Sequence, residues 1–180
     1  MPSPVGHALG GIAAGYLLGG GTVDTPTTRS SPWLTGRKLL FEQRAFVFGL
    51  LGVLPDIDFL FGVHSTYTHS VGATVVVGLL GGFVGRHLGS HPYLSVGAAY
   101  GSHVVLDWLG SDTVGPLGVM ALWPLSSDFY LSDRHWFMAV CREYWVAECW
   151  WHNTWGLMRE LMVLGPVTLG AIVASRGLKR

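Results

Sequence analysis

Residues 52–70 read GVLPDIDFLFGVHSTYTHS, and the stretch combines two properties that oppose each other. It closes an apolar run of the kind that dissolves in lipid. It also packs Asp56, Asp58, His64 and His69 into fourteen positions, where a hydrocarbon surrounding makes charge costly. The fold class turns on how the chain reconciles the two.

Composition favours the membrane. Hydrophobic residues make up 49% of the 180 and charged residues 12%, about half the roughly 25% of an average soluble domain. The 26 glycines are roughly twice the usual share, and small residues let lipid-embedded helices approach closely. Eight tryptophans fit the headgroup level. A formal net charge of zero offers no basic surface for nucleic acid.

Five apolar segments stand out near residues 4–20, 45–62, 71–86, 93–110 and 160–175. The expectation is an all-α, polytopic membrane helix bundle of about five spans, forming one integral membrane domain over residues 1–180. Each segment is short against the roughly 20 residues of a full span. No Lys or Arg precedes the first segment, which argues against a cleaved signal peptide. Residues 111–158 form an outer-face segment. From His135 it reads HWFMAVCREYWVAECWWHNTWGLMREL, with Arg142, Glu143, Glu148, Arg159 and Glu160 among aromatics. That pattern predicts an amphipathic interfacial helix, either roofing a site or serving as an aromatic anchor. Cys141 and Cys149, eight apart in such a helix, would be separated by about 12 Å of rise and unable to pair.

Charge sets the orientation. Arg29, Arg37, Lys38, Arg44, Arg86, Arg176, Lys179 and Arg180 fall on one side, leaving Arg134, Arg142 and Arg159 on the other. The positive-inside rule then puts the N-terminus outside and the C-terminus in the cytoplasm. Seven candidate ligands follow to the outer face: His7, Asp56, Asp58, His64, His69, His103 and Asp107.

These residue types present lone pairs to a cation. His103 and Asp107 are at i and i+4, hence on one helical face. Asp56 and Asp58 follow Pro55, where the chain can leave regular helix and aim both carboxylates at one place. Mixed imidazole and carboxylate donors suit a divalent metal, with zinc first and manganese or iron as alternatives, as one ion or a pair. The bland alternatives are a solvated helix end for the two aspartates, a terminal residue for His7, a loop hydrogen bond for His64 and a buried hydrogen-bonded pair for His103 and Asp107. Thr68 and Ser70 sit where the third segment begins. They read as N-caps, or as part of a phosphate-binding helix N-terminus. His87, His91, His135 and His152 look incidental. The chain has no H-E-x-x-H motif and no P-loop, and no polar path through all five segments for an ion transporter.

In order along the chain, Gly6-His7, LPDID (Leu54 to Asp58), H-x4-HS (His64 to Ser70), SHVVLD (Ser102 to Asp107) and GPLGVMALWP (Gly115 to Pro124) resemble the YdjM-type, LexA-regulated membrane-bound metal-dependent hydrolases, an inner-membrane family of bacteria and archaea. The resemblance covers most of residues 5–126. It implies a helical membrane hydrolase with divalent metal held by the seven residues above. By pattern alone it also resembles the soluble zinc-dependent phospholipases C. Two departures stand out: Ser65 occupies a position where the family often has Arg, and the Thr that often follows the H-x3-D pair by three residues is displaced to Thr113.

The functional expectation is a hydrolase of a prokaryotic cytoplasmic membrane that cleaves a phosphoester of a lipid or lipid-linked substrate at the outer face. Asp56, Asp58 and His69 are the candidate catalytic groups, and Thr68 and Ser70 the candidate substrate contacts. Membrane lipids are the expected partners, with no nucleic acid; nothing in the sequence reads on oligomeric state. The rivals are a non-catalytic membrane protein with a structural or sensory metal site, and a metal hydrolase of amide or acyl bonds.

Overall fold

In the computed structural model, residues 1–19, 41–61, 64–85, 88 and 90–177 are described. Five α-helices carry the fold: α1 (Pro4–Leu18), α2 (Phe41–Val53), α3 (Val71–Val84), α4 (Pro92–Leu109) and α5 (Ala147–Gly177). Local chemistry sets their ends. Ser3 caps α1, its side chain accepting from the Gly6 N–H, with Pro4 at the first helical position. Ser70 caps α3 through the Ala73 N–H, and Pro92 opens α4. Pro55, which has no N–H, stands just beyond the end of α2, and the chain continues as a tighter 3-10 segment over Leu54–Phe61.

The all-helical expectation holds: the described residues contain no strand, only two isolated bridges, Gly110 with Phe137 and Val119 with Tyr130. The five-span expectation does not. At 1.5 Å per residue, α1 to α4 reach only about 20–27 Å, against a hydrocarbon core of about 30 Å. Among the described residues α5 alone is long and apolar enough to cross. Only 22% of its apolar window is buried by the rest of the chain, unlike the core helix of a soluble protein. Arg29, Arg37, Lys38, Arg86, Lys179 and Arg180 lie outside the described residues. Arg44, expected in a basic loop, is instead buried in α2 with its guanidinium over the Tyr16 ring.

The predicted interfacial helix is also corrected. Residues 111–146 form turns and extended chain, and the aromatic run becomes helical only at Ala147, where it opens α5. Cys141 therefore lies outside the helix and Cys149 in its first turn, and the two form a disulfide with Cα atoms 5.4 Å apart. The spacing argument against that bond assumed a helix that does not extend so far. Segment 111–146 acts as a roof by backbone pairing. Met120 donates to the Ser65 carbonyl (3.0 Å), while the carbonyls of Ala121 and Trp123 accept from Val71 and Gly72 (2.8 and 3.0 Å).

α1 is the central helix, packed against α2, α4 and α5, while α3 lies on α4. The α1–α2 crossing is backbone on backbone. A Cβ on Gly52 would stand 2.3 Å from the His7 carbonyl oxygen, and one on Gly11 2.4 Å from that of Phe48. Apolar packing continues through Ala13, Tyr16, Phe48, Val96 and Ala99. The outer face of α3, with Val75, Val76, Leu79, Leu80 and Phe83, is exposed. Replacing Gly52 by Ala is expected to destabilise the protein at the upper end of the about 1–3 kcal/mol typical of overpacking, because the clash is with backbone that no rotamer relieves. Thermal unfolding in detergent, compared with Gly165→Ala, which meets nothing within 4 Å, measures the difference.

Candidate metal centre

All seven predicted ligands are brought to one end of the bundle. His7 comes from the first turns of α1, Asp56 and Asp58 from the 3-10 segment, His64 and His69 from the loop before α3, and His103 and Asp107 from the last turns of α4. His7, His69, His103 and Asp107 are essentially without solvent exposure, whereas Asp56 keeps 22%.

Four of the donors outline a cage. His69 Nε2 lies 3.0 Å from His103 Nε2. Asp56 Oδ1 is 3.6 Å from His69 Nε2 and 3.5 Å from His103 Nε2. Asp107 Oδ2 is 3.5 and 3.1 Å from the same two nitrogens. Donors held at about 2.0–2.2 Å around one tetrahedral ion stand roughly 3.3–3.6 Å apart, so these edges have the size a divalent cation requires.

The protonation pattern points the same way. His103 Nδ1 is 2.7 Å from the Gly52 carbonyl. A carbonyl only accepts, so Nδ1 carries the proton and Nε2 presents a lone pair. His69 Nδ1 is 3.1 Å from Asp58 Oδ2, which turns its Nε2 inward in the same sense. Asp107, fully buried, makes no well-formed hydrogen bond through either oxygen, its close neighbours being the Nε2 atoms of His7 and His103 at 3.2 and 3.1 Å, and His7 Nδ1 likewise lacks a partner. Imidazole and carboxylate acceptors gathered this closely in a dry site repel unless a proton or a cation sits among them. The residues thus fit a metal. The side chains that could hold an ion fall into two groups, His7 with His103 and Asp107, and Asp56 with His64 and His69. Asp107 Oδ1 lies 3.2 Å from His7 Nε2, so its two oxygens face both His7 and the cage.

Asp58 plays a different part from Asp56. At three residues per 3-10 turn, positions i and i+2 point in different directions, so the two carboxylates do not aim at one place. Asp58 sits behind the cage, accepting from His69 Nδ1, from His64 Nδ1 at 2.9 Å and from the Thr68 hydroxyl at 2.9 Å. Burial alone would raise its pKa, but these donors hold Asp58 well below the usual carboxylate range. Burial would likewise lower His69. The carboxylates of Asp56 and Asp58, with Asp107 nearby, outweigh it and push His69 up to about 9.

The predicted phosphate-binding role of the α3 N-terminus finds no room. Ser70 is wholly buried and donates to the Tyr67 carbonyl (2.6 Å) while capping Ala73. The Val71 and Gly72 N–H groups are taken by the roof. Thr68 holds Asp58 in place. Sequence reasoning also passed over several residues. Glu160, buried on α5, accepts from the Ser3 N–H at 2.7 Å and from the Ser3 hydroxyl, and so docks α1, with His7 on it, against α5. Phe59 stacks on the His64 ring at 3.7 Å. A single carboxylate at the start of the apolar segment 160–175 was the available signal for Glu160. The site opens into a cavity of about 470 Å³ lined by His7, Asp56, Phe59 and His64 on one side and by residues 112–114 and 139–144 on the other.

A family model described as YdjM inner membrane protein matches residues 1–178. No curated protein and no solved structure matches the chain.

Asp58→Asn is expected to weaken metal affinity about 10–100-fold, the usual cost of losing an outer carboxylate behind a ligating histidine. His103→Ala, which removes an edge of the cage, should abolish stoichiometric metal; competition with a chromogenic chelator measures both. A second expectation concerns pH. The raised pKa means His69 is protonated in the metal-free protein below about 9, so binding must displace that proton. Affinity should climb about tenfold per pH unit from neutrality and flatten above pH 9, measurable by the same competition across pH.

Proposed function

The chain belongs to the YdjM inner membrane protein family, and on that footing we propose that it is a membrane-bound, metal-dependent hydrolase acting on a phosphoester of a lipid or lipid-linked substrate. One observation carries the reading: the clustered cation-seeking donors adjoin an open cavity, which His7, Asp56 and His64 line. A purely structural metal is usually enclosed by protein ligands, whereas catalysis keeps a way in. Here Asp56 and His64 stand at the opening.

His69, His103, Asp56 and Asp107 would hold a divalent ion, zinc by preference for this imidazole and carboxylate set, and His7 with Asp107 would help hold a second. Such an ion supplies a Lewis acid and lowers the pKa of water toward about 7. The chain's own residues supply the rest. Asp58 and the Gly52 carbonyl fix the two cage imidazoles in the tautomer that points Nε2 inward. His64, backed at Nδ1 by Asp58 and stacked on Phe59, lines the cavity and is placed to pass a proton to a leaving group. Burial of Asp107 and His103 keeps water from the back of the site.

The lipid assignment is supported by the spanning helix α5 and by the exposed apolar face of α3, which suits contact with acyl chains. The Cys141–Cys149 bond supports an outward-facing site, since disulfides persist in oxidising compartments. That placement supports an N-terminus outside and a C-terminus inside.

Purified protein is expected to contain stoichiometric zinc and to release a phosphorylated headgroup from a mixed lipid extract, an activity lost on chelation and restored by zinc. His64→Gln should lower kcat by about 10²-fold or more while keeping the ion held by His69, His103, Asp56 and Asp107. Protein that binds no divalent metal, or zinc-loaded protein that releases only fatty acid or amine products, would sink the proposal.

A further inference from the structure

Arg142 lines the same cavity as His7, Asp56 and His64. Among the described residues it is the only Lys or Arg side chain lining the 470 Å³ cavity. Its guanidinium carbon lies 5.0 Å from the centroid of the Phe59 ring, and that ring in turn stacks on His64. Phe59 thus contacts both the Arg142 guanidinium and the His64 imidazole, whose Nδ1 lies 2.9 Å from Asp58. Arg142 also lines the adjoining hollow beside His64, Ser65 and Thr66.

The backbone that presents Arg142 is held firmly. Its neighbour Cys141 is bonded to Cys149 on α5. Asn153, also on α5, accepts from the Cys141 N–H at 2.8 Å and donates to the Cys141 carbonyl at 2.9 Å. An exposed arginine on a free loop would sample many directions; this one springs from a covalently and doubly hydrogen-bonded anchor.

Other charges at the mouth are of both signs. The Met1 ammonium donates to the Ser111 carbonyl. Asp112 accepts from the N–H groups of Thr113, Val114 and Gly118. Asp56 and Glu143 also line the cavity, so among its Lys, Arg, Asp and Glu side chains Arg142 is the one that attracts an anion. A planar guanidinium with several donors suits a phosphate or a phosphodiester better than a point charge does.

We propose that Arg142 is the anion-recognising residue of the cavity, binding the phosphate group of the ligand while the metal-binding groups face the bond to be cleaved. The substrate role rests on the hydrolase reading above, but the binding chemistry does not. The alternative for an exposed arginine beside aromatics is a surface anchor to anionic lipid.

The test compares wild type with Arg142→Gln and Arg142→Lys in neutral detergent, with and without zinc. One arm titrates inorganic phosphate by calorimetry; the other measures partition to phosphatidylcholine vesicles with and without phosphatidic acid. Zinc content is read throughout. Expected are a phosphate affinity at least tenfold weaker in the Gln variant, partial recovery with Lys, and unchanged zinc. A parallel loss for phosphatidic acid assigns the phosphate to a lipid, and a loss for inorganic phosphate alone assigns it to a soluble ligand. Equal phosphate affinity in wild type and Gln variant overturns the proposal, also when the vesicle arm alone weakens, which would make Arg142 a surface anchor. Wild type that takes up no zinc when it is supplied, yet binds phosphate through Arg142, would sink the hydrolase reading and leave this one standing.

Discussion

Everything at the site depends on the contact of α1 with α2 at Gly11 and Gly52. Two helices meet there with no side chain between them. That closeness places His7 beside the start of the 3-10 segment. It also leaves the Gly52 carbonyl facing α4, where it receives the His103 Nδ1 proton at 2.7 Å. One glycine thus sets the distance between three chain segments and the tautomer of a cage imidazole. In a site whose donor separations run from 3.0 to 3.6 Å, a shift of one methyl group is a large fraction of the geometry.

The rest of the site is an exercise in holding opposed charges still. Asp107 is buried with only the His7 and His103 imidazoles close to its oxygens, a costly arrangement that a cation among them would relieve. Asp58 offsets part of this from behind, gathering His64, His69 and Thr68 around one carboxylate. Glu160 contributes from a distance by fastening the start of α1 to α5. The roof of residues 111–146 closes the α3 N-terminus with its carbonyls. Asp56 and His64 meet the cavity on the side that the roof leaves open.

Much of this was legible in the chain. The i, i+4 spacing of His103 and Asp107 put them on one face because a helix has one period, and Pro55 marked the departure from α-helix because it lacks an N–H. Segment positions were also readable from hydropathy, close to four of the five helices observed. Helix length was harder. Apolar composition does not distinguish a 14-residue helix resting against others from one that crosses, and α5 was divided between two readings because aromatics and charges alternate at its start. Cys141 and Cys149 were judged unable to pair for the same reason: the helix was extended twelve residues too far toward the N-terminus.

The sequence by itself determined the all-helical class, the family and the seven groups that gather at one end, since residue chemistry and periodicity are local properties written in the chain. Tertiary structure alone decided what each group does. Asp56 faces the cage and Asp58 the backs of two histidines because a 3-10 turn rotates neighbours apart. Ser70 and Thr68 turn inward because a roof from fifty residues away has taken the helix end. Arg142 reaches the cavity because a disulfide and Asn153 hold its loop there. Direction, partner and exposure belong to packing between distant segments, and no local pattern records them.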